Sequence, residues 1–274
     1  MHSSPIVQED IVTIGDAVRP IANEFAGKTI LVSGGAGFLG PHVARVFARR
    51  GAEVVLLDRH AERLSLAVGA LEREEGFVVT GVLIDRPLDG DPDAIPECDV
   101  VVNCAARALT ASATDPVGVV RSSVGPVLAC LEAVRSGRAG RLVHVSSSEV
   151  YGRIAGERYS AHTPMNPITP YGAAKAAADL LVAGWRETWP GLHASVVRFS
   201  NLYGPGQRPY RNASVVVRCA LAATRGEAMT IYGDGEQERD FLFVGDAAEA
   251  VAALAELPEA PARPVLASTG CGTR

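Results

Sequence analysis

A glycine-rich turn close to the start of the chain is the feature that most constrains the fold. Residues 33–40 read SGGAGFLG, and they lie between an apolar run and a helical pattern at residues 41–50. In such a turn Gly34 permits the tight bend, Gly37 lets the backbone approach a pyrophosphate, and Gly40 lets the helix lie close to the strand. The amino end of a helix favours negative charge, because free N–H groups and the helix dipole act there. The turn therefore predicts a strand–turn–helix unit that binds a dinucleotide.

The chain continues as an alternation of apolar strands and helices. This alternation predicts the α/β class, with a Rossmann-type doubly wound parallel sheet and helices on both of its faces. The predicted strands are residues 28–33, 53–58, 77–84, 98–104, 141–146 and 194–199, and the predicted helices are residues 41–50, 61–75, 113–135 and 171–188.

The pattern divides the chain into three segments. Residues 1–26 carry apolar side chains at roughly helical spacing and predict an N-terminal helical extension. Residues 27–200 hold the alternating pattern and predict a dinucleotide-binding Rossmann domain. Beyond Ser200, glycines and prolines separate shorter elements. We therefore expect residues 201–274 to form a small substrate-binding lobe over the carboxyl edge of the sheet, interleaved with the Rossmann core.

Composition narrows the partners that the chain can have. Its 274 residues carry a net charge of -5, and the basic residues are scattered, so we expect no nucleic-acid partner. Five cysteines form no CxxC pair, and six histidines show no HExxH pattern, which predicts reduced thiols and no metal site. Because no run of about 18 apolar residues occurs, we expect a cytoplasmic protein with no membrane partner.

An acidic residue at the end of the second strand bears on the choice of dinucleotide. Asp58 follows the glycine turn by about twenty residues, where a carboxylate accepts from ribose hydroxyls and repels a 2′-phosphate. This favours NAD over NADP, although Arg59 weakens the preference. Asp85, after the third strand, is a candidate acceptor for the adenine amino group. The predicted cofactor-binding set is Gly34, Gly37, Phe38, Leu39, Gly40, Asp58, Arg59, Asp85, Cys104, Ala105, Ala106, Tyr171 and Lys175.

A serine, a tyrosine and a lysine follow in an order that suits hydride chemistry. The run SSSEVYG at residues 146–152 ends the fifth strand, and Tyr171 and Lys175 lie one turn apart on the next helix. A phenol has a pKa near ~10, so it serves as a base only when positive charge stabilises the phenolate. A nearby lysine and a cationic nicotinamide both provide that charge. The tyrosine can then accept a proton from a sugar hydroxyl, while a serine hydroxyl bonds the same oxygen.

With these motifs in place, the chain resembles the extended short-chain dehydrogenases/reductases that act on nucleotide sugars. The resemblance includes the runs NPITP at 166–170, RFSNLYGPGQ at 198–207 and IYGDGEQERDF at 231–241. It implies bound NAD, a UDP- or dTDP-linked sugar as substrate, and a homodimer formed through the helix of the tyrosine and lysine. It also implies that Ser147 is the catalytic hydroxyl, Tyr171 the base and Lys175 its partner, with Asn201 and Arg239 at the diphosphate of the substrate.

Such enzymes oxidise C4 of the sugar, after which three reactions are open. A 4-epimerase returns hydride to the other face, a 4,6-dehydratase removes the C5 proton and expels the C6 hydroxyl, and a decarboxylase releases carbon dioxide from a hexuronic acid. Glu149 matches the glutamate that dehydratases and decarboxylases of this family carry at this position. Ser148 stands where dTDP-glucose dehydratases carry an acidic Asp, and a decarboxylase needs no such acid.

We therefore expect chemistry at C5, with decarboxylation slightly ahead of dehydration and epimerisation close behind. Arg208 is a candidate for binding a carboxylate or a phosphate. Two rivals belong to other classes: a non-catalytic dinucleotide-binding regulator, and a soluble reductase that uses free NADPH. The presence of Ser147, Tyr171 and Lys175 argues against the first rival, and Asp58 argues against the second.

Overall fold

The computed structural model of the protein describes residues 24–75, 77–85, 88–154, 158–160, 162–208, 214–231 and 233–274. The predicted N-terminal helix falls almost wholly in residues 1–23, outside the described part of the chain. Residues 24–27 form a turn in which the buried ring of Phe25 packs edge-on against Phe47, with the ring centroids 4.8 Å apart.

Seven parallel strands form the main sheet, which confirms the predicted fold class. Their order across the sheet is β3-β2-β1-β4-β5-β6-β9, and β7 pairs with β8 in a separate two-stranded sheet. The strands are β1 (Thr29–Ser33), β2 (Glu53–Asp58), β3 (Val79–Leu83), β4 (Cys98–Asn103), β5 (Ala139–Ser147), β6 (Ala194–Phe199), β7 (Asn201–Tyr203), β8 (Phe241–Phe243) and β9 (Val265–Ala267).

Helices cover both faces of the main sheet. They are α1 (Gly40–Arg49), α2 (Ala61–Glu75), α3 (Pro116–Arg135), α4 (Pro170–Thr188), α5 (Val215–Arg225) and α6 (Val244–Glu256). Successive strand residues point to opposite faces, so Ile30 and Val32 join the core beneath α1 and α6, whereas Leu31 joins the core beneath α3 and α4. Burial on both faces explains why the strands read as continuous apolar runs.

Two helix starts differ from the sequence prediction because of their caps. Helix α3 begins at Pro116 and not near residue 113, since the carboxylate of Asp115 accepts a hydrogen bond from the Gly118 N–H at 2.9 Å. Helix α4 begins at Pro170, and the hydroxyl of Thr169 accepts from the Gly172 N–H at 3.0 Å. In both helices a proline stands at the first helical position, where no N–H is needed.

Helix α3 is also, among the described residues, the one helix long and apolar enough to span a membrane by length and composition. Half of its most apolar window is buried inside the structure, and its buried side chains, including Val127 and Leu131, belong to the core shared with α4 and the sheet. Burial against the sheet is a sufficient explanation for its apolar composition.

The chain after Ser200 is divided between the small sheet and the main one. Strands β7 and β8 form a sheet of their own, yet Leu242 of β8 joins the core beneath α1 and α6. Helix α6 packs on the same face as α1, and β9 pairs with β6 at residues 265–267. Asp240 joins the two parts: its carboxylate accepts from the Ser200 hydroxyl at 2.8 Å and from the Gly270 N–H at 2.7 Å. The small sheet is thereby attached beside the carboxyl end of β6.

Candidate active site

The glycine turn is held tightly against β2 and β4. The N–H groups of Gly34 and Gly35 donate to the Leu57 carbonyl at 2.9 and 3.1 Å. Gly34 has a φ of 73°, and a Cβ there would lie 2.8 Å from the backbone of Ala105. A side chain at this position would therefore be strained and would also clash, so the turn requires glycine. The backbone of Gly37 remains exposed at the start of α1, where a pyrophosphate would lie.

Asp58 ties the end of β2 to this turn. One oxygen of its buried carboxylate accepts from the Ala36 N–H at 3.0 Å, and the other accepts from the His60 N–H at 3.1 Å. A carboxylate has about four lone-pair sites, so both oxygens keep acceptor capacity for ribose hydroxyls. Asp58 thus orders the turn and presents negative charge at the place that the sequence predicts.

A cleft of about 810 Å³ opens along the carboxyl edge of β1, β2 and β4. Its volume lies in the range of small-molecule and cofactor sites. Seven of the predicted cofactor-binding residues line it: Gly34, Gly37, Asp58, Arg59, Cys104, Ala105 and Ala106. The buried Leu39 and Gly40 start α1 behind the cleft, the half-buried Phe38 is also outside its lining, and Asp85 is exposed just beyond β3. Tyr171 and Lys175, the other two predicted cofactor contacts, are also outside the lining of the cleft. For all thirteen residues a role in cofactor binding remains a prediction.

The same cleft contains residues that the sequence did not single out. Arg107 and Arg121 line it, and Arg107 forms an ion pair with Asp115, the cap of α3. His60 and Arg63, directly after the predicted acid, also line it. For His60, Arg63 and Arg107 the only signal in the sequence was their nearness to the carboxyl ends of β2 and β4, which isolated charged residues share with many surface positions. Arg121 lies on α3, and no sequence signal marked it.

Ser147, Tyr171 and Lys175 come together at the end of β5. Ser147 caps the short helix Ser148–Val150, its hydroxyl accepting from the Glu149 N–H at 3.2 Å, and it also forms a hydrogen bond with the Tyr171 phenol. The Tyr171 N–H donates to the Ser112 hydroxyl at 3.2 Å, which fixes the first turn of α4. The serine and tyrosine hydroxyls therefore lie close together, and their contact with one substrate oxygen remains a prediction.

Gly172 brings Glu149 close to the same group. A Cβ at Gly172 would lie 2.6 Å from the Glu149 carbonyl oxygen, so α4 packs directly on the backbone of the short helix Ser148–Val150. The half-buried Glu149 carboxylate is near enough to raise the pKa of the Tyr171 phenol. Ser148 is the first residue of the short helix, beside Ser147. A carboxylate and a phenol thus share this part of the site.

Lys175 is buried beneath the tyrosine. The side chain is 2% exposed, its Nζ donates to the Val145 carbonyl at 2.7 Å, and it lies 6.0 Å from the centroid of the Tyr171 ring. Burial lowers the pKa of Lys175 to about 8, and the Asp179 carboxylate opposes that change. The amine is therefore held firmly in position but is close to losing its proton.

The protonation of Tyr171 differs from the sequence prediction. Burial raises the pKa of Tyr171 to about 12, the hydrogen bond with Ser147 lowers it, and the Glu149 charge raises it. Lys175 by itself does not make this phenol acidic, because its ammonium is directed to a backbone carbonyl. Of the two sources of positive charge expected from the sequence, the one that remains is the cationic nicotinamide ring of an oxidised dinucleotide.

The lysine makes a direct prediction possible, because Lys28 and Lys175 are the only lysines in the chain. We expect lysine-selective isotope labelling to show a Lys175 signal that titrates near pH 8. Folded Lys175 releases its proton near pH 8, whereas the unfolded chain keeps it until about 10.4. For this group the unfolded state then binds more protons, so Lys175 contributes a rise of up to ~1.4 kcal/mol per pH unit to the free energy of unfolding between those values. The buried thiols of Cys98, Cys104 and Cys130 act in the opposite direction, because burial raises their pKa. Lys175→Met should remove only the lysine contribution, which the difference between parent and variant in chemical denaturation at several pH values measures.

Asn201 and Arg239, two of the three predicted substrate contacts, lie at the small sheet beside β6. Asn201 is half-buried, and both its N–H and its side-chain amide donate to the Asp240 carbonyl, at 3.0 and 3.1 Å. Arg239 is exposed, its guanidinium donates to the Glu238 carbonyl at 2.7 Å, and it does not line the cleft. The structure attaches both residues to the small sheet, and their contact with a diphosphate remains a prediction.

Arg208 lies in a different place from the other two predicted substrate contacts. The loop after β7 crosses to α1, where the Pro205 carbonyl is 3.0 Å from His42 Nε2. The Arg208 charge is near enough to His60 to lower the pKa of that imidazole, together with burial and Arg63. Arg208 thus approaches the Asp58 end of the cleft.

Two other residues near the site, His144 and Cys104, are held in their neutral forms. His144 is fully buried in β5, its Nδ1 lies 3.2 Å from Asn103 Nδ2, and burial and Lys175 keep its pKa well below the usual value. Cys104 lines the cleft, but burial raises the pKa of its thiol to about 12. A neutral imidazole and a protonated thiol are packing groups here.

Comparison with known proteins completes this picture of the site. Residues 30–266 match the sequence profile of the NAD dependent epimerase/dehydratase family. The chain belongs to that family. A dTDP-glucose 4,6-dehydratase of Xanthomonas campestris pv. campestris (strain B100) is 38% identical over 244 residues, which cover 81% of this chain and 66% of the relative. The chain thus spans slightly less than two thirds of that relative's length.

Solved structures of family members share the fold. A UDP-glucose 4-epimerase from Thermus thermophilus, in complex with NAD, is 30% identical to this chain, with a TM-score of 0.74. The match covers 89% of this chain and 79% of the epimerase. A UDP-N-acetylglucosamine 4-epimerase from Methanobrevibacter ruminantium M1, in complex with UDP-N-acetylmuramic acid, is 26% identical with a TM-score of 0.77, covering 90% and 78%. This family therefore includes both dehydratases and epimerases that resemble the chain.

Proposed function

We propose that the protein uses NAD to oxidise C4 of a nucleotide-linked sugar and then eliminates water across C5 and C6, as a 4,6-dehydratase does. The observation that supports this best is the grouping of Ser147, Tyr171 and Glu149 at the end of β5. In the proposed reaction the phenol would act on the C4 hydroxyl and the carboxylate on the C5 proton. The cleft along β1, β2 and β4, with its glycine turn and Asp58, has the volume and the chemistry that NAD requires.

In the first half of the proposed reaction the chain handles one proton. Bound NAD would accept a hydride from C4 of the sugar. Tyr171 takes the proton of the C4 hydroxyl, and Ser147 bonds the same oxygen so that its position is fixed. Lys175, anchored on the Val145 carbonyl, lies beneath the phenol ring, and its charge would favour the deprotonated form only together with the cationic nicotinamide of bound NAD.

In the second half, the C4 ketone makes the C5 proton acidic. Glu149 is the proposed base for that proton, since its half-buried carboxylate stands beside Tyr171. The C6 hydroxyl then leaves as water and needs a proton of its own. A hydride returned to C6 and a proton returned to C5 would complete the reaction, so that the net change is loss of water and NAD is restored. Ser148 stands next to Glu149 in place of the acidic residue that resembling dehydratases carry. A serine hydroxyl is a much weaker acid than a carboxylic acid, so we expect water loss to be the slow step.

The relatives change the balance between the reactions considered from the sequence. Decarboxylation of UDP-glucuronate, which the sequence slightly favours, gains no support from the proteins named above. Dehydration gains support from the 38% identical relative. Epimerisation at C4 is the second candidate, because two epimerases share the fold and because Ser148 is a poor acid.

Product analysis distinguishes these outcomes. The purified protein is incubated separately with dTDP-glucose, UDP-glucose and UDP-glucuronate, and the products are examined by mass spectrometry and NMR. Loss of water from a hexose nucleotide is expected. Release of carbon dioxide from UDP-glucuronate would instead establish decarboxylation. An unchanged mass with inversion at C4 would establish epimerisation, and no change with any of the three would count against the proposal.

We also propose a homodimer that works in the cytoplasm. Helix α4 exposes an apolar row at residues 173, 177 and 180, spaced as one helical face, and Leu180 is 60% exposed. On the neighbouring α3, Val120 is also exposed. Exposed apolar faces on two packed helices are typical of a surface that a second copy covers. All five cysteines are unpaired, which fits a reducing compartment.

The dimer can be tested on this row of side chains. We expect Leu180→Glu to convert a dimer into a monomer, because each copy would place a buried charge at the symmetric contact. Sedimentation or light scattering measures the mass. Leu66→Glu is the matched control, since Leu66 is 61% exposed on α2, at a distant part of the sheet. A parent protein that is already monomeric, or a variant that remains dimeric, would exclude this surface.

A further inference from the structure

Behind the proposed site, α4 carries a second charged residue that the mechanism has not used. Asp179 follows Lys175 by four positions, so the two side chains lie one turn apart on the same buried face of the helix. Asp179 is 4% exposed and Lys175 is 2% exposed. A carboxylate in such surroundings is costly unless other groups compensate its charge.

Arg198 of β6 provides that compensation. Its Nε donates to Asp179 Oδ2 at 2.8 Å, and both side chains are buried. One terminal nitrogen donates to the Tyr151 hydroxyl at 3.0 Å, the other lies 3.3 Å from the Met165 sulfur, and the guanidinium lies over the Tyr151 ring at 5.0 Å. Because each of the three guanidinium nitrogens makes one of these contacts, Arg198 is held in position, and Asp179 is held with it.

Several other groups face Lys175, and their charges differ. From α4 itself come Tyr171 and Asp179, from β5 comes His144, and from the end of β4 comes Cys104. Burial keeps the thiol and the phenol protonated and keeps the imidazole neutral at physiological pH. Among these described groups, Asp179 is therefore the one that carries negative charge near the ammonium.

We propose that Asp179 is a positioning residue that keeps Lys175 in its charged ammonium form, and that Arg198 keeps Asp179 a carboxylate. Burial raises the pKa of Asp179, and the adjacent guanidinium opposes this rise. The effect reaches the reaction only through Lys175, since neither Asp179 nor Arg198 lines the cleft. In its relevance to turnover, this inference rests on the proposed function.

The small number of lysines allows a test without any substrate. In protein labelled at the lysine side chains, NMR should show two resolved amines, with Lys28 as the internal reference. Asp179→Asn removes the negative charge and keeps the shape. We expect the Lys175 titration to move to a lower pH by about one pH unit. The alkaline limb of the pH profile for turnover should move in the same direction, which a purely structural role of Asp179 would not produce.

Asp179→Asn leaves Arg198 buried without its partner, and this could unfold the chain. The double variant D179N/R198M removes both charges, which buried ion pairs often tolerate. It should also lower the pH at which Lys175 titrates. Asp99→Asn is the control, because Asp99 pairs with Lys28 at 2.9 Å at the opposite end of the strands, and it should leave the Lys175 signal unmoved.

An unchanged Lys175 titration in folded Asp179→Asn, and also in the double variant, would overturn the inference. Failure of the proposed function gives a different result. In that case the parent protein would not turn over the nucleotide sugars, while the NMR titration would still report on the coupling of Asp179 and Lys175. The two ideas can therefore fail independently.

Discussion

Tyr171→Phe is expected to lower turnover of the nucleotide sugar by about a thousandfold while the protein keeps its dinucleotide. General acid–base groups contribute of this order to a rate, and the variant removes only the hydroxyl that takes the C4 proton. The position of α4 should not change, because its first turn is held by the Tyr171 N–H on Ser112 and by the cap at Thr169. Steady-state rates and dinucleotide released on denaturation are the two measurements.

Tyr159→Phe is the control for this variant. Tyr159 stacks on Tyr151 with the ring centroids 4.9 Å apart, and removal of its hydroxyl leaves that stacking intact. We expect it to keep the parental rate. Normal turnover by Tyr171→Phe would mean that another group takes the proton and that the assignment of the phenol is incorrect. Loss of the dinucleotide would show instead that the hydroxyl contributes to cofactor binding.

The class of the main sheet and most of its strands could be predicted because the signals are local. A buried parallel strand reads as an apolar run, and six of the seven strands of the main sheet were found in this way within a few residues. Strand β9 was missed. It has three residues, and the pairing of residues 265–267 with β6 depends on the chain returning past α6 to the same sheet. No local pattern encodes that return.

The electrostatics of the site could be predicted only in part. Spacing alone places Tyr171 and Lys175 on one helical face, and the structure agrees with this. Whether the lysine makes the phenol acidic depends on burial and on the direction of the amine, which Val145 determines from another strand. The ion pair between Arg198 and Asp179 could not be predicted from the sequence. The two residues are nineteen positions apart, and their side chains meet only in the folded chain.

Glu149→Gln should separate the two halves of the proposed reaction. The amide keeps the shape of the side chain but cannot take the C5 proton, so we expect water loss to fall by about a thousandfold. Hydride transfer from C4 needs only Tyr171, Ser147 and Lys175, and it should continue. The variant should therefore accumulate reduced dinucleotide together with a 4-keto sugar nucleotide. Near-ultraviolet absorbance follows the first, and mass spectrometry after rapid quenching identifies the second.

The same variant distinguishes a dehydratase from a 4-epimerase. An epimerase returns the hydride to C4 and never breaks the bond to the C5 proton, so Glu149→Gln would leave its rate nearly unchanged. One side effect is expected in either case. Because the Glu149 charge raises the pKa of Tyr171, its removal should lower that pKa and help the first step. Glu227→Gln on the exposed surface serves as the control. Full dehydration by Glu149→Gln would require a different base for C5, and solvent deuterium incorporation at C5 would show whether that proton is still removed.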